Sequence, residues 1–340
     1  MKKSSHASMR SVLAPDPLRR KLLAGIGALG TLSALSPFDA FAAENAASTA
    51  SAASTAPAPH RIVTLNWELT ETLLALGVTP IGTSLPDWYR STIVEPPLSA
   101  GVANIGLLYQ PNFEMLQALA PDLLVITPGH APARPWLERL APTITLGAYM
   151  SSDTPYPALL GETRELAARL QRPQNATALI AATDRVVADV RAQLATHAAL
   201  RRAPVLVAEL VDDRHLRVYA QGSLFDTMLQ KIGVGNAANA TNPATGGRRW
   251  NTGSGFALVP VQRLVEVQQA SLLLVGPVAP SARAGIARNA IWQALPVVRE
   301  RRVTLLPVIA PYGGLISMQR FAQAVATALA TIDNGGGGLA

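Results

Sequence analysis

The chain has 340 residues, a formal net charge of +7 and no cysteine. A chain of this length can bury one large core or two cores of ordinary size. The lack of cysteine excludes disulfides, thiolate metal sites and the attachment of a lipid through a cysteine.

The first 42 residues have the features of an export signal. Arg19 and Arg20 precede a weakly apolar stretch over 24–35, and Ala40-Phe41-Ala42 provides a small-residue cleavage site. The apolar stretch is shorter than the ~20 residues that span a bilayer. The paired arginines predict a twin-arginine signal peptide and a periplasmic location in a Gram-negative cell.

Most of the positive charge belongs to this signal. Removing residues 1–42 takes away six basic and two acidic residues, so the net charge falls from +7 to +3. We therefore expect no binding to nucleic acid. Residues 43–59 are rich in Ala, Ser, Thr and Pro and are predicted to be a disordered leader, and the glycine-rich residues 334–340 a flexible tail.

The remaining chain alternates short apolar runs with helical segments. Residues 60–157 are predicted to form a first lobe, which opens with a buried strand over Ile62 to Leu65. Residues 158–200 are helical, and the segment from Gln174 to His197 would span roughly 35 Å at 1.5 Å per residue, long enough to connect two lobes. Residues 201–333 are predicted to form the second lobe.

One pattern occurs in both lobes. A proline-containing turn, a short helix and a continuous apolar run follow one another in residues 110–126 and again in 259–275. The sequence therefore predicts an α/β fold with two Rossmann-like lobes, each with a parallel sheet, joined by one long α-helix. Ligands of such sheets bind beyond the carboxyl ends of the strands. The residues expected at these ends are Trp67, His130, Glu209 to Asp213 and Ala310 to Gly313.

Signatures of common enzymes are missing from the sequence. No Gly-x-Gly-x-x-Gly follows a strand, and neither a phosphate-binding loop nor His-Glu-x-x-His occurs. The five histidines are scattered along the chain. The sequence thus favours a protein that is not an enzyme.

Several motifs together identify a known family. They are Arg61 to Trp67, Glu71 to Gly77, Tyr89-Arg90, Glu95 to Leu98, Ile105 to Leu107, Pro111-Asn112 with Glu114, Leu140 to Pro142, Trp292 to Arg299, and Tyr312-Gly313 with Ser317-Met318. From His60 to the last helix, the chain resembles the periplasmic substrate-binding proteins of iron-siderophore ABC importers, of the ferric hydroxamate (ferrichrome) type. The resemblance implies a shallow cleft, a monomer without a cofactor of its own, iron that arrives as part of the siderophore, and docking to an inner-membrane permease through an acidic residue on each lobe.

The resemblance also assigns residues to the pocket. Trp67, Trp250 and Tyr312 match pocket aromatics of the family, and Trp250 stands in a polar loop, where a place in the core is not expected. An arginine and a tyrosine that contact the hydroxamate oxygens in the family are replaced here by Leu108 and His130. His130 could be a pocket donor or an ordinary loop residue. Possible substitutes for the lost donor are Tyr109, Arg90, Arg134 and Arg249.

The two docking residues are assigned in the same way. Glu114 matches the family's docking glutamate in the first lobe. The equivalent position in the second lobe is Gln262, and Glu266 would lie one helical turn further along the same face.

These observations predict capture of a ferric siderophore, most simply of the hydroxamate type, and its delivery to an ABC importer. One alternative keeps the fold and changes the ligand to haem or a corrinoid, with His130 or Tyr109 as an axial ligand. Two others are an exported α/β enzyme and a scaffold protein.

Overall fold

The computed structural model describes residues 57–196, 203–241, 246, 250 and 255–339. The predicted signal peptide, most of the predicted leader and Arg249 lie outside the described residues. None of the helices that the structure describes is both long enough and apolar enough to cross a membrane.

The first lobe is built on a five-stranded sheet in which every pair of neighbours is parallel, as predicted. Its strand order is β3-β2-β1-β4-β5. The strands are β1 (Ile62–Thr64), β2 (Gly82–Thr83), β3 (Ala103–Asn104), β4 (Leu123–Ile126) and β5 (Thr143–Thr145). The helices are α1 (Trp67–Ala75), α2 (Pro86–Thr92), α3 (Phe113–Leu119) and α4 (Arg134–Leu137), with 3-10 turns at Pro128–His130 and Ala148–Ser151.

Two long helices follow the first lobe. They are α5 (Pro155–Arg169) and α6 (Pro173–Ala195). The predicted connecting helix is thus present as α6, whose 23 residues span about 35 Å. Its buried side chains recur every three or four residues, which is typical of a helix with one face in a core, and it packs against α5, α7 (Leu224–Ile232) and α11 (Leu315–Asp333).

The second lobe also contains a five-stranded sheet, but the prediction that this sheet is parallel is wrong. Strand β7 pairs antiparallel with both of its neighbours, so the sheet is mixed. Its order is β10-β9-β6-β7-β8. The strands are β6 (Val205–Leu210), β7 (His215–Tyr219), β8 (Phe256–Pro260), β9 (Ser271–Gly276) and β10 (Val303–Val308). The remaining helices are α8 (Pro280–Arg288), α9 (Ala290–Ala294) and α10 (Pro296–Arg299), with 3-10 segments at Ala237–Asn239 and Val261–Val267.

The repeated pattern is confirmed, with one difference between the copies. In the first lobe, Asn112 accepts a hydrogen bond from the Met115 amide and caps α3, which leads into β4. In the second lobe the segment that leads into β9 is the 3-10 segment Val261–Val267 rather than an α-helix.

The core has a separate part in each lobe and a shared part between them. One face of each sheet carries its own buried cluster, around Ile105 and Leu137 in the first lobe and around Leu216 and Trp292 in the second. The opposite faces join in one larger cluster with the long helices, from Ile62 to Leu329. The helices therefore fix the two lobes against each other.

The predicted flexible tail is hydrogen-bonded to the second lobe. Arg301 donates through Nε to the Gly337 carbonyl at 2.9 Å, and the Gly338 amide donates to the Val303 carbonyl at 2.7 Å. Glycine suits this path because a Cβ on Gly337 would overlap the Arg301 carbonyl.

Candidate functional site

The carboxyl ends of β1, β2 and β4 lie at one edge of the first sheet, because these strands are parallel neighbours. The loops that leave this edge carry Trp67, Ser84 and His130. The loop after β10 brings Tyr312 from the second lobe, and the Tyr149 hydroxyl donates to the Tyr312 carbonyl at 2.8 Å. The two lobes therefore meet where their strands end.

Two stacked tryptophans stand at this edge. Asn66 accepts a hydrogen bond from the Leu69 amide and starts α1, so that Trp67 is the first helical residue. The indole Nε1 of Trp67 donates to the Ser84 carbonyl at 2.7 Å. Trp88 stacks on Trp67 with ring centroids 5.9 Å apart and planes 7° apart, and it remains 58% exposed. Sequence reasoning missed Trp88. The signal that could have indicated it is an aromatic residue that follows a strand closely and comes directly after Pro86-Asp87.

Tyr109 and His130 are also neighbours, but they differ in accessibility. Tyr109 is 65% exposed and lies over Gly129, where a Cβ would come within 2.7 Å of its ring. Its ring centroid is 5.1 Å from that of His130, which is only 2% exposed. Tyr109 can therefore contact a ligand directly, whereas His130 supports the loop beneath it.

Both ring nitrogens of His130 have partners within the chain. Nε2 lies 2.6 Å from the Leu108 carbonyl and must carry the hydrogen, because a carbonyl only accepts. Nδ1 then accepts from the Thr127 amide at 3.2 Å and from its hydroxyl at 2.9 Å. Of the two roles left open for His130, the structure gives it that of a loop residue. Since both ring nitrogens are hydrogen-bonded within the chain, the imidazole is not placed to be an axial ligand of haem.

Tyr312 lies half-buried beside charged groups from both lobes. Burial raises the pKa of its hydroxyl, the Arg217 guanidinium opposes this shift, and the carboxylates of Glu209 and Glu68 add to it. Arg217 on β7 donates to the Glu209 carboxylate on β6 at 3.1 Å. Glu68 lies in the first turn of α1, and its own pKa is raised by burial. The sequence prediction included Glu209 as a strand-end residue but missed Glu68 and Arg217.

A buried carboxylate joins the lobes behind this region. Glu71 of α1 is fully buried and accepts from the Gly314 amide at 2.8 Å, the Ser317 amide at 2.7 Å and the Ser317 hydroxyl at 2.8 Å. These donors belong to the first turn of α11, where a negative charge is favoured. Burial nevertheless raises the pKa of Glu71 to about 7, and the three donors offset only part of that shift.

Two other predicted pocket residues have partners inside their own lobes. Arg90 donates to Asp87 at 2.7 Å, to the Ser99 carbonyl at 2.9 Å and more weakly to the Leu98 carbonyl at 3.4 Å, so its guanidinium ties α2 to the following loop. Trp250 is 2% exposed and packs in the core of the second lobe. The expectation that Trp250 lies outside the core is therefore wrong: polar neighbours in the sequence do not determine where a ring packs in space.

The two predicted docking residues have different surroundings. Glu114 is exposed in the first turn of α3, between the exposed side chains of Phe113 and Met115. Glu266 is paired with Arg263 at 2.6 Å in the 3-10 segment. With three residues per turn, residues four apart do not share a face, so the expectation that Glu266 lies on the same face as Gln262 is wrong.

The described residues show no metal site. Within the described ranges, no three His, Asp or Glu side chains come together in a group that could hold a metal ion.

Comparisons with known proteins agree with this architecture. The model of a family described as periplasmic binding protein matches residues 62–310. The iron(3+)-hydroxamate-binding protein FhuD of Escherichia coli is 29% identical over 274 residues, which cover 80% of this chain and 87% of that protein. The achromobactin-binding periplasmic protein of Dickeya dadantii is 28% identical over 52% of this chain and 56% of its own length.

Among solved structures, the fold is similar to that of FhuD from Vibrio cholerae bound to Fe3+-Desferal. The TM-score is 0.71 at 24% identity, and the match covers 80% of this chain and 98% of that one.

Proposed function

The chain belongs to the periplasmic binding protein family, and from that premise we propose that it captures a ferric siderophore between its lobes and delivers it to an inner-membrane ABC importer. The observation that carries the proposal is the stacked pair of Trp67 and Trp88, which leaves large aromatic surface exposed at the strand ends. Water disfavours such surface, and an apolar ligand face would cover it.

The proposed ligand is of the hydroxamate type, in accord with the name of the relative from Escherichia coli. The iron arrives inside the siderophore, so the protein holds no cofactor of its own. The protein acts as a monomer, and it makes or breaks no covalent bond. Binding rests on the aromatic rings, including Tyr109 and Tyr312, and on polar donors between them.

Replacing Trp88 with Ala is expected to weaken the binding of ferric desferrioxamine about tenfold, because about 1.4 kcal/mol of aromatic contact is lost. Trp136→Ala is the matched control, since Trp136 is 59% exposed in α4, outside the pair. Titration of the mature protein, followed by tryptophan fluorescence, measures both affinities. Equal affinities of the two variants would contradict the assigned cleft, and flat titrations of the wild type with hydroxamate, catecholate and mixed ferric complexes would contradict the proposed function.

Docking to the importer is proposed to use Glu114. An exposed carboxylate between exposed apolar side chains can steer a basic partner and then be covered by it. Glu114→Gln is expected to lower uptake of radioactive ferric siderophore by cells severalfold and to leave the affinity of the purified protein unchanged. Glu165→Gln, an exposed glutamate on α5, should leave both unchanged, and equal uptake by the two variants would count against docking at α3.

Export by the twin-arginine route is proposed from Arg19 and Arg20. That route carries folded proteins, so residues 1–42 fused to a reporter that folds before export should bring it to the periplasm. Retention of the folded reporter in the cytoplasm would contradict this route.

A further inference from the structure

A cation lies on the face of the second sheet, within the polar region around Tyr312. Arg217 and Glu209 are directly opposite each other on antiparallel strands, and the guanidinium donates to the carboxylate at 3.1 Å. The guanidinium carbon also lies 5.3 Å from the ring centroid of Phe256 on β8. Three adjacent strands thus hold this charge in place.

Arg217 lies opposite Glu209, next to the carboxyl end of β6. Because β6, β9 and β10 are parallel neighbours, the loop that carries Tyr312 leaves β10 at this same edge of the sheet. The Arg217 guanidinium lowers the pKa of the Tyr312 hydroxyl and so opposes the effect of burial, whereas Glu68 of the first lobe raises that pKa. Arg217 therefore lies at the edge where the lobes meet, which Tyr149 of the first lobe reaches through its hydrogen bond to the Tyr312 carbonyl.

Arg217 also remains accessible. Its side chain is 43% exposed, although one edge is paired with Glu209. A guanidinium has five N–H donors in a planar fork, which fits the two oxygens of a carboxylate. Arg90 and Arg134, by contrast, are bound to side chains or carbonyls of their own lobe.

We propose that Arg217 is the cationic anchor of the cleft, which binds a negatively charged oxygen group of the ligand, above all a carboxylate, while Glu209 and Phe256 hold the guanidinium in position. This inference rests on the proposed function and narrows the ligand to ferric complexes that carry such a group. The second lobe then selects the ligand by charge, and the tryptophan pair of the first lobe binds its apolar face.

Two derivatives of desferrioxamine test the proposal as ferric complexes. Acetylation of the terminal amine gives a neutral complex, whereas succinylation adds a carboxylate at the same place. The wild type is expected to bind the succinyl form about tenfold to a hundredfold more tightly than the acetyl form, as a charge-assisted hydrogen bond would give. Arg217→Gln should abolish this preference, so that the variant binds the succinyl and acetyl forms with equal affinity.

Controls separate the possible failures. Arg185→Gln, at an exposed position of α6, should keep the wild-type preference. Since Arg217→Gln leaves Glu209 without its partner, the double variant with Glu209→Gln removes both charges and should show the same loss of preference with a thermal midpoint near that of the wild type. A preference retained in the Arg217 variants, or absent from the wild type, would overturn the anchor while the function stands. Failure of the wild type to bind either complex would overturn the proposed function itself.

Discussion

The wild-type chain is expected to lose about 3 kcal/mol of unfolding free energy through Glu71 as the pH rises from about 4.5 to about 7. The variant Glu71→Gln is expected to lose none of it. The reason is the buried carboxyl of α1, whose pKa in the folded chain is raised to about 7 from the ordinary value of 4.5.

The sign follows from proton binding. Between these two pKa values the unfolded chain has released the proton of Glu71, while the folded chain still holds it. The folded state therefore binds more protons, and its stability is full below pH 4.5 and falls as the pH rises towards 7. The titratable neighbours Glu68, Tyr89 and Tyr149 interact electrostatically with Glu71, and the pKa of Glu68 is raised by burial as well, so Glu68 adds to the same slope.

Urea unfolding at a series of pH values measures this effect as the difference between wild type and variant. Glutamine keeps the shape of the side chain but places an N–H₂ group where three donors converge. This mismatch should lower the unfolding free energy of the variant at pH 5 by about 1–3 kcal/mol relative to the wild type, an effect separate from the pH-dependent loss. Glu165→Gln, at an exposed position of α5, should retain the wild-type slope. A Glu71→Gln variant with the wild-type slope would show that this carboxyl does not titrate in this range.

Local patterns were sufficient for much of this fold. The apolar run of β4 and the capped helix before it are visible in consecutive residues, and the same is true of α7, which starts at the Ser223 cap and ends at Gly233. Trp67 and Tyr312 could be placed at the edge because each directly follows a strand region.

The parts that were missed depend on distant partners. The segment of β7 alternates between its two faces over only five residues, and nothing within it shows that both neighbouring strands run in the opposite direction. Arg217 was missed with that strand. The partners of Glu71 lie more than 240 residues away, and the Leu108 carbonyl that fixes His130 lies 22 residues away. Contacts of this kind are set by tertiary packing, which a single sequence does not display.

Replacing Phe225 with Ala is expected to lower the free energy of unfolding by about 3–5 kcal/mol, a large share of the 5–15 kcal/mol that stabilises most domains. Phe225 of α7 is fully buried between two other rings. It stacks on Phe321 of α11 with ring centroids 4.1 Å apart and forms a T-shaped pair with Tyr219 on β7, with ring centroids 5.1 Å apart. The substitution removes both contacts and leaves a cavity where three elements meet.

This cavity would also weaken the support of the cleft. Strand β7 carries Arg217, and α11 begins just after Tyr312, so Phe225 links the two elements that position these side chains. Denaturant unfolding of Phe225→Ala should therefore show a lower midpoint, and Phe113→Ala, which truncates an exposed ring, should stay within about 0.5 kcal/mol of the wild type. Phe225→Leu fills most of the cavity and should recover more than half of the loss. Equal stability of the Phe225→Ala and Phe113→Ala variants would mean that the aromatic stack does not hold the second lobe to its helices.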